Sequence, residues 1–333
     1  MSSHSSAEQR QQIRNLVRSH CASTHGVFRR SDLTLLGIDH VHLRTFERRG
    51  WWVRLHHGIY VDADVLAAAT TPLARTQLMV TAACRALPGP AYAFGPSASH
   101  LHDIAVDRKL EDSIAVVRPI DADQRALRRR VSGPSGLRDV TVHRHHLRPE
   151  DVALVGDVPT VSRDLAAITT AARQDPDWAV ATLDSAVWRD AEALKRITAT
   201  TARWSGLRGI GTVRAALPLV RIGAQTPLET LSRLRLVARG LPEPELQVPI
   251  YDVAGLVGYA DMCWSDWRVL GEADGALKYH DRSDLLAEKA REDRLRDAGW
   301  MVVRWTWAEI MSDPRMVAAR ILRARSRGER RTA

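Results

Sequence analysis

The segments P-L-E-T-L-S-R-L-R-L-V-A-R (227–239), L-Q-V-P-I-Y-D (246–252), V-G-Y-A-D-M-C-W (257–264) and R-V-L-G-E-A-D (268–274) follow one another near the C-terminal end of the chain. Thr226 is placed to cap a helix with Pro227 at its first position. Leu228, Leu231, Leu234 and Val237 recur at helical spacing, and Gly240 ends it. The next three segments read as strands, Glu288 to Ala298 as a second helix, and M-V-V-R-W-T-W (301–307) as a buried strand. Ser265, Asp266 and Trp267 separate the second and third strands, so the hairpin turns near Asp266 and Trp267. Paired residue numbers in a hairpin share a constant sum, which sets Asp261 opposite Glu272. Alternation puts Leu270, Glu272 and Asp274 on one face and Val269, Gly271 and Ala273 on the other.

Carboxylates directly across a ladder sit roughly 5 Å apart at Cβ and repel. Inside a domain, such charge requires a shared cation. A hard divalent ion, Mg2+ or Mn2+, prefers carboxylate oxygens and retained water. The competing reading makes Glu229 and Asp274 ordinary solvated helix and turn residues.

A helix glutamate, an aspartate, a gap of about ten residues and then Glu-x-(Lys or another polar residue) resembles the PD-(D/E)XK nuclease fold. The segment Glu272-Ala273-Asp274-Gly275-Ala276-Leu277-Lys278-Tyr279 is similar to the branch that contains the very-short-patch-repair endonucleases. The resemblance covers about the last hundred residues. It implies a restriction-endonuclease-like α-β-β-β-α-β domain in which Glu229, Asp261 and Glu272 hold the metal. Asp274 stands where the wider fold has lysine, so Lys278, with His280 as the alternative, is the residue expected to stabilise developing charge on the phosphate. The expected chemistry is metal-assisted attack of water on a DNA phosphodiester. Lys278 is one of only four lysines among 48 basic residues, which raises its weight.

A chain of 333 residues suits two or three domains. Its net charge of +9 favours a polyanionic partner, DNA above all. Cys21, Cys84 and Cys263 lie far apart and form no metal-ligand spacing, which fits a reducing interior. No apolar run approaches the roughly 20 residues of a membrane span, and the first residues lack a signal-peptide core. The expectation is a cytoplasmic protein without a membrane partner.

Residues 8–62 read as a first unit. A helix from Glu8 to Cys21 has Ile13, Leu16 and Val17 as its buried side. A short helix follows, capped by Ser31, and then a helix capped by Asp39 with Val41, Leu43 and Phe46 facing inward. W-W-V-R-L-H-H-G-I-Y-V (51–61) reads as a two-stranded wing turning near His57 and Gly58. Three helices and a hairpin make a winged helix-turn-helix. The pattern resembles the N-terminal domain of AbiEi-type antitoxins, which implies DNA and a toxin or defence protein as partners. Arg44, Arg48 and Arg49 fall on or near the recognition helix, and Arg54 begins the wing. Arginines so placed can read guanine or phosphate; a solvated face is the alternative.

The middle of the chain, 63–220, carries no catalytic set and reads as a mixed α/β connecting region. Pro72–Ala86 is a helix, Ile114–Val117 and Val140–Arg144 are strands, and Ser162 caps a helix. Further helices fall at about 177–191, 192–203 and 209–217. H-R-H-H (143–146) alternates across a strand and lacks a completing carboxylate or cysteine, so it reads as a solvated strand end. Residues 221–325 form the nuclease-like domain and 326–333 a basic tail. From Arg315 onward seven arginines face one glutamate, a run that either meets phosphates or stays solvated. The multidomain α/β chain is thus expected to be either a metal-dependent DNA endonuclease of defence or repair, or an antitoxin-like transcriptional regulator with an inactive nuclease-like domain.

Overall fold

The computed structural model describes residues 2–120, 129–131, 140–274 and 282–332. It divides into two compact units, Met1–Arg173 with Ala199–Arg208, and Gln174–Thr198 with Gly209–Ala333.

The first unit begins with α1 (Ser2–His20), β1 (Val27–Arg29), α2 (Arg30–Leu35), α3 (His40–Arg48), β2 (Trp52–His56) and β3 (Ile59–Asp62). β2 and β3 form the wing, and β1 pairs with β3 on its other side. The turn between them needs Gly58 at φ +71°, a conformation glycine adopts without a Cβ clash. Phe46 centres the core, with Trp52 edge-on at 4.5 Å and Phe28 a further 5.0 Å from Trp52. Val17, Cys21 and Leu43 are buried around it, whereas Leu16 and Val41, expected inside, are exposed. α2 starts ahead of the expected Ser31 cap; Arg30 is its first residue, and Asp32 accepts the Arg29 backbone N–H at 2.8 Å.

The unit continues with α4 (Ala63–Ala68), α5 (Pro72–Ala86), β4 (Tyr92–Ala93), α6 (Pro96–Leu101), α7 (Arg108–Glu111), β5 (Ile114–Pro119), β6 (Arg129–Val131), β7 (Val140–His145), β8 (Val152–Val155), β9 (Val158–Val161) and α8 (Arg163–Ala171). The six strands form one mixed sheet in the order β6-β7-β5-β4-β9-β8. Ser162 caps α8 through the Leu165 N–H, and α8 meets α6 where the Ser99 and Thr170 hydroxyls lie 2.7 Å apart. In the histidine-rich strand end His146 is exposed, as expected, whereas His143 and His145 pack against aromatic rings. His143 and His145 lie 4.9 and 5.5 Å from the Phe94 ring, and Trp204 lies 5.0 Å from His145.

The remaining elements are α9 (Pro176–Val187), α10 (Ala193–Arg203), α11 (Ile210–Ala216), α12 (Pro227–Val237), β10 (Glu245–Asp252), β11 (Gly255–Trp264), β12 (Val269–Asp274), α13 (Arg282–Asp297), β13 (Met301–Thr306), α14 (Trp307–Ser312) and α15 (Pro314–Thr332). β10–β13 form a four-stranded sheet in chain order, antiparallel except for the parallel β12–β13 pair. One layer joins Leu228 and Leu236 of α12 to Trp264, Trp305 and the α15 residues Val317 and Ile321. The other face packs Ile250, Ala260 and Leu270 on Leu295 of α13. Trp305 donates its indole N–H to Ser232 at 2.8 Å, so a buried polar atom is satisfied as the helix docks. Asp184 of α9 takes hydrogen bonds from Thr230 and Arg233 of α12 and from the Arg221 N–H, at 2.8, 3.0 and 2.8 Å.

Three sequence readings need correction in this unit. Val237 points to solvent, α13 starts at Arg282 rather than Glu288, and the segment read as a tail continues helix α15 as far as Thr332. Among the described residues no helix is long and apolar enough to cross a membrane.

Candidate functional site

α3 turns one face inward and the other to solvent. Asp39 caps it by accepting the His42 N–H at 2.9 Å. Leu43 and Phe46 turn inward and fix its rotation. The opposite side then presents Val41, Arg44 and Arg48, three and four residues apart and so on one face. Val41 is 55% exposed, which sequence reasoning missed because an apolar β-branched residue in a helix reads as core. The Arg48 Nε reaches the Arg44 carbonyl, at 3.4 Å. Arg49 leaves this face and lies 5.2 Å over the Trp51 ring, a cation–π contact. Arg54, exposed on the wing, sits 3.8 Å from Glu47.

The wing is tied to α1 by ions. Arg14 and Arg18 reach the buried Asp62 carboxylate at 2.8 and 2.6 Å, and Asp62 also caps α4 through the Asp64 N–H. Burial pushes the Asp62 carboxyl up, but the two guanidinium groups outweigh it and its pKa lies below the usual aspartate value. His56, at the end of β2, is buried, and burial pushes its pKa down.

The acidic residues of the second unit gather where the sheet forks. The β11–β12 ladder ends at Met262↔Gly271, and the Asp261 carboxylate takes the Ala273 N–H at 3.0 Å. Gln247, at φ +50°, donates to Asp261 at 3.2 Å and to Glu229 at 3.3 Å, bridging the two acids. Glu229 also accepts from the Gln225 N–H and the Thr226 hydroxyl, both at 2.9 Å. Burial raises the pKa of Glu229, and the charge of Asp261 raises it further. Burial likewise raises Asp261, with Glu272 adding to it.

The cation that neutralises Glu272 is supplied by the protein. Arg304, its cross-strand neighbour on β13, reaches one carboxylate oxygen at 2.7 Å, and Arg291 of α13 reaches the other at 2.8 Å. Asp274 lies 3.9 Å from the same Arg304. The sequence expected Glu229, Asp261 and Glu272 to share a divalent ion. Glu229 and Asp261 come together, but the oxygens of Glu272 are taken by arginine. Among the described residues no three His, Cys, Asp or Glu side chains are placed to hold a metal ion. Lys278 and His280 lie outside the described residues. The arginines were missed because they stand 19 and 32 residues beyond Glu272, and only the β12–β13 pairing and α13 bring them in.

Comparison with known proteins supports the first of these two regions. Two Mycobacterium tuberculosis proteins, the uncharacterized MT2308 of strain CDC 1551 / Oshkosh and Rv2248 of strain ATCC 25618 / H37Rv, are each 33% identical to this chain over 145 residues. The match covers 44% of this chain and 54% of either relative, so the chain spans about half the length of the curated relatives it matches. Residues 11–61 match the family model described as transcriptional regulator, AbiEi antitoxin, and the winged helix they form is an AbiEi-like antitoxin domain.

Proposed function

We propose that the protein is a DNA-binding transcriptional regulator of the AbiEi-antitoxin kind. The observation that carries this reading is the outer face of α3, where Val41, Arg44 and Arg48 stand exposed while Leu43 and Phe46 hold the helix in place. In a major groove, arginine pairs with guanine through two hydrogen bonds, and an apolar side chain packs against a thymine methyl. Arg54 and the wing tip would follow the backbone, fixing register without reading sequence. The likeness to an antitoxin extends the proposal to a toxin protein as a partner.

Footprinting on the DNA upstream of the protein's own gene tests the reading. Arg44→Ala or Arg48→Ala should each weaken specific binding by about 1–3 kcal/mol while leaving the circular dichroism spectrum unchanged. An unprotected upstream region at moderate salt would exclude it.

A second reading, Mg2+- or Mn2+-dependent DNA cleavage, draws on the αβββαβ order of the second unit and on the raised carboxyls of Glu229 and Asp261. Two carboxyls raised by burial and brought together by one bridging amide are a feature that functional sites share. When bound, the ion would polarise a phosphate and acidify a water. Glu229 and Asp261 would hold it, and Glu272 would join them only on leaving Arg291 and Arg304. Calorimetric titration with MnCl2 separates the readings. Stoichiometric heat that Asp261→Asn removes would favour the second, and no heat in either form would leave the regulator alone.

A further inference from the structure

α15 carries a row of arginines on its outer side. Its inner side, Val317, Ala318, Ile321 and Ala324, is buried in the core of the second unit. Two of its arginines are engaged in that unit: Arg320 pairs with Glu309 at 2.8 Å, and Arg325 lies 4.8 Å over the Trp267 ring. Arg325 also binds Glu329 at 2.8 Å, so it compensates the one acid in the helix. Arg323, Arg327 and Arg330 remain exposed, four and three residues apart, and therefore stand on one side. At 1.5 Å per residue they span roughly 10 Å, about three base-pair steps of one DNA strand.

We propose that the Arg323–Arg327–Arg330 face of α15 is a second DNA contact, one that binds backbone phosphates without reading sequence. An amphipathic helix meant for a membrane needs a free apolar side. The apolar side of α15 is already covered by its own unit, which leaves charge as the recognisable feature. Contacts from such a row to backbone phosphates supply affinity and not specificity. The proposal takes its ligand from the DNA-binding reading above but makes no use of the α3 contacts, so the two can fail separately.

The test is the salt dependence of full-length protein binding to a random-sequence duplex. Each phosphate neutralised contributes about 0.9 to the slope of log K against log salt. The triple variant Arg323→Gln, Arg327→Gln, Arg330→Gln should lower that slope by about 2 to 3. It should weaken every sequence alike and melt at the wild-type temperature. The Arg44→Ala, Arg48→Ala variant should lose discrimination between sequences and keep the α15-dependent part of the slope; discrimination retained there would count against the α3 reading alone. A triple variant with wild-type slope and affinity would overturn the α15 proposal, as would a wild type that ignores random duplex at low salt. Arginine-dependent binding to anionic phospholipid vesicles with an unchanged DNA slope would overturn it too, in favour of a membrane.

Discussion

Gly271 leaves no room for a methyl group. A Cβ there would meet the Trp305 ring at 2.5 Å and Trp264 at 3.1 Å, both in the buried layer beneath α12. Gly271→Ala should cost about 1–3 kcal/mol through overpacking, read as a lower denaturation midpoint with an unchanged m-value. Ten residues away, Asp261 predicts the opposite sign. Its folded pKa is raised, so the native state holds the proton more tightly than the unfolded chain. Stability is therefore lost as pH rises through the folded pKa and regained as pH falls through it. Asp261→Asn keeps the shape, can still accept from the Ala273 N–H by its amide oxygen, and removes the penalty. The variant should melt a few degrees higher at neutral pH and show a flatter acid profile. A lower melting temperature would mean that the charge at this fork is compensated. The hairpin register that brings Asp261 here was legible, because Ser265, Asp266 and Trp267 mark the turn and alternation does the rest. The neutralisation of Glu272 was not, since no local pattern announces a partner on another element.

At the level of elements, α1 and the wing depend on Asp62. Removing its carboxylate leaves Arg14 and Arg18 facing each other beside the exposed Asp64. Asp62→Ala should cost about 2 to 3 kcal/mol, less than a fully buried pair because Arg18 is one-third exposed. The sign with pH is the reverse of that for Asp261. A depressed folded pKa gives stability that is present above the ordinary aspartate value, near 4, and lost as pH falls through the lower folded value. Asp62→Asn should flatten this acid limb of unfolding, followed by tryptophan fluorescence. Long elements such as α5 and α12 were readable because caps, Pro at the first position and apolar period agree. β1 and β4, of three and two residues, are too short to carry a period, and only their sheet partners define them.

Across the whole molecule, two of the buried clusters stand on different sequence ranges. One is the winged-helix cluster around Phe46 and Trp52, the other the layer around Trp264 and Trp305. The C-terminal core was visible as apolar strands and helices in one run, whereas the fact that α9, far upstream, joins α12 through Asp184 and Arg233 was not. That link rests on a charge buried in the tertiary structure, and helical periodicity treats Asp184 only as a polar position. Separate cores predict separate cooperative transitions in calorimetry. Phe46→Ala removes the ring at the centre of the first core and should cost about 3–5 kcal/mol there. It should shift one transition down by several degrees and abolish sequence-specific DNA binding, while the other transition stays in place. Arg233→Ala should do the converse, because it leaves the buried Asp184 carboxylate with the Thr230 hydroxyl and the Arg221 N–H but without the Arg233 charge, and leaves the α3 face untouched. A single transition that both variants lower together would show that the two cores unfold as one, and that damage to either reaches α3.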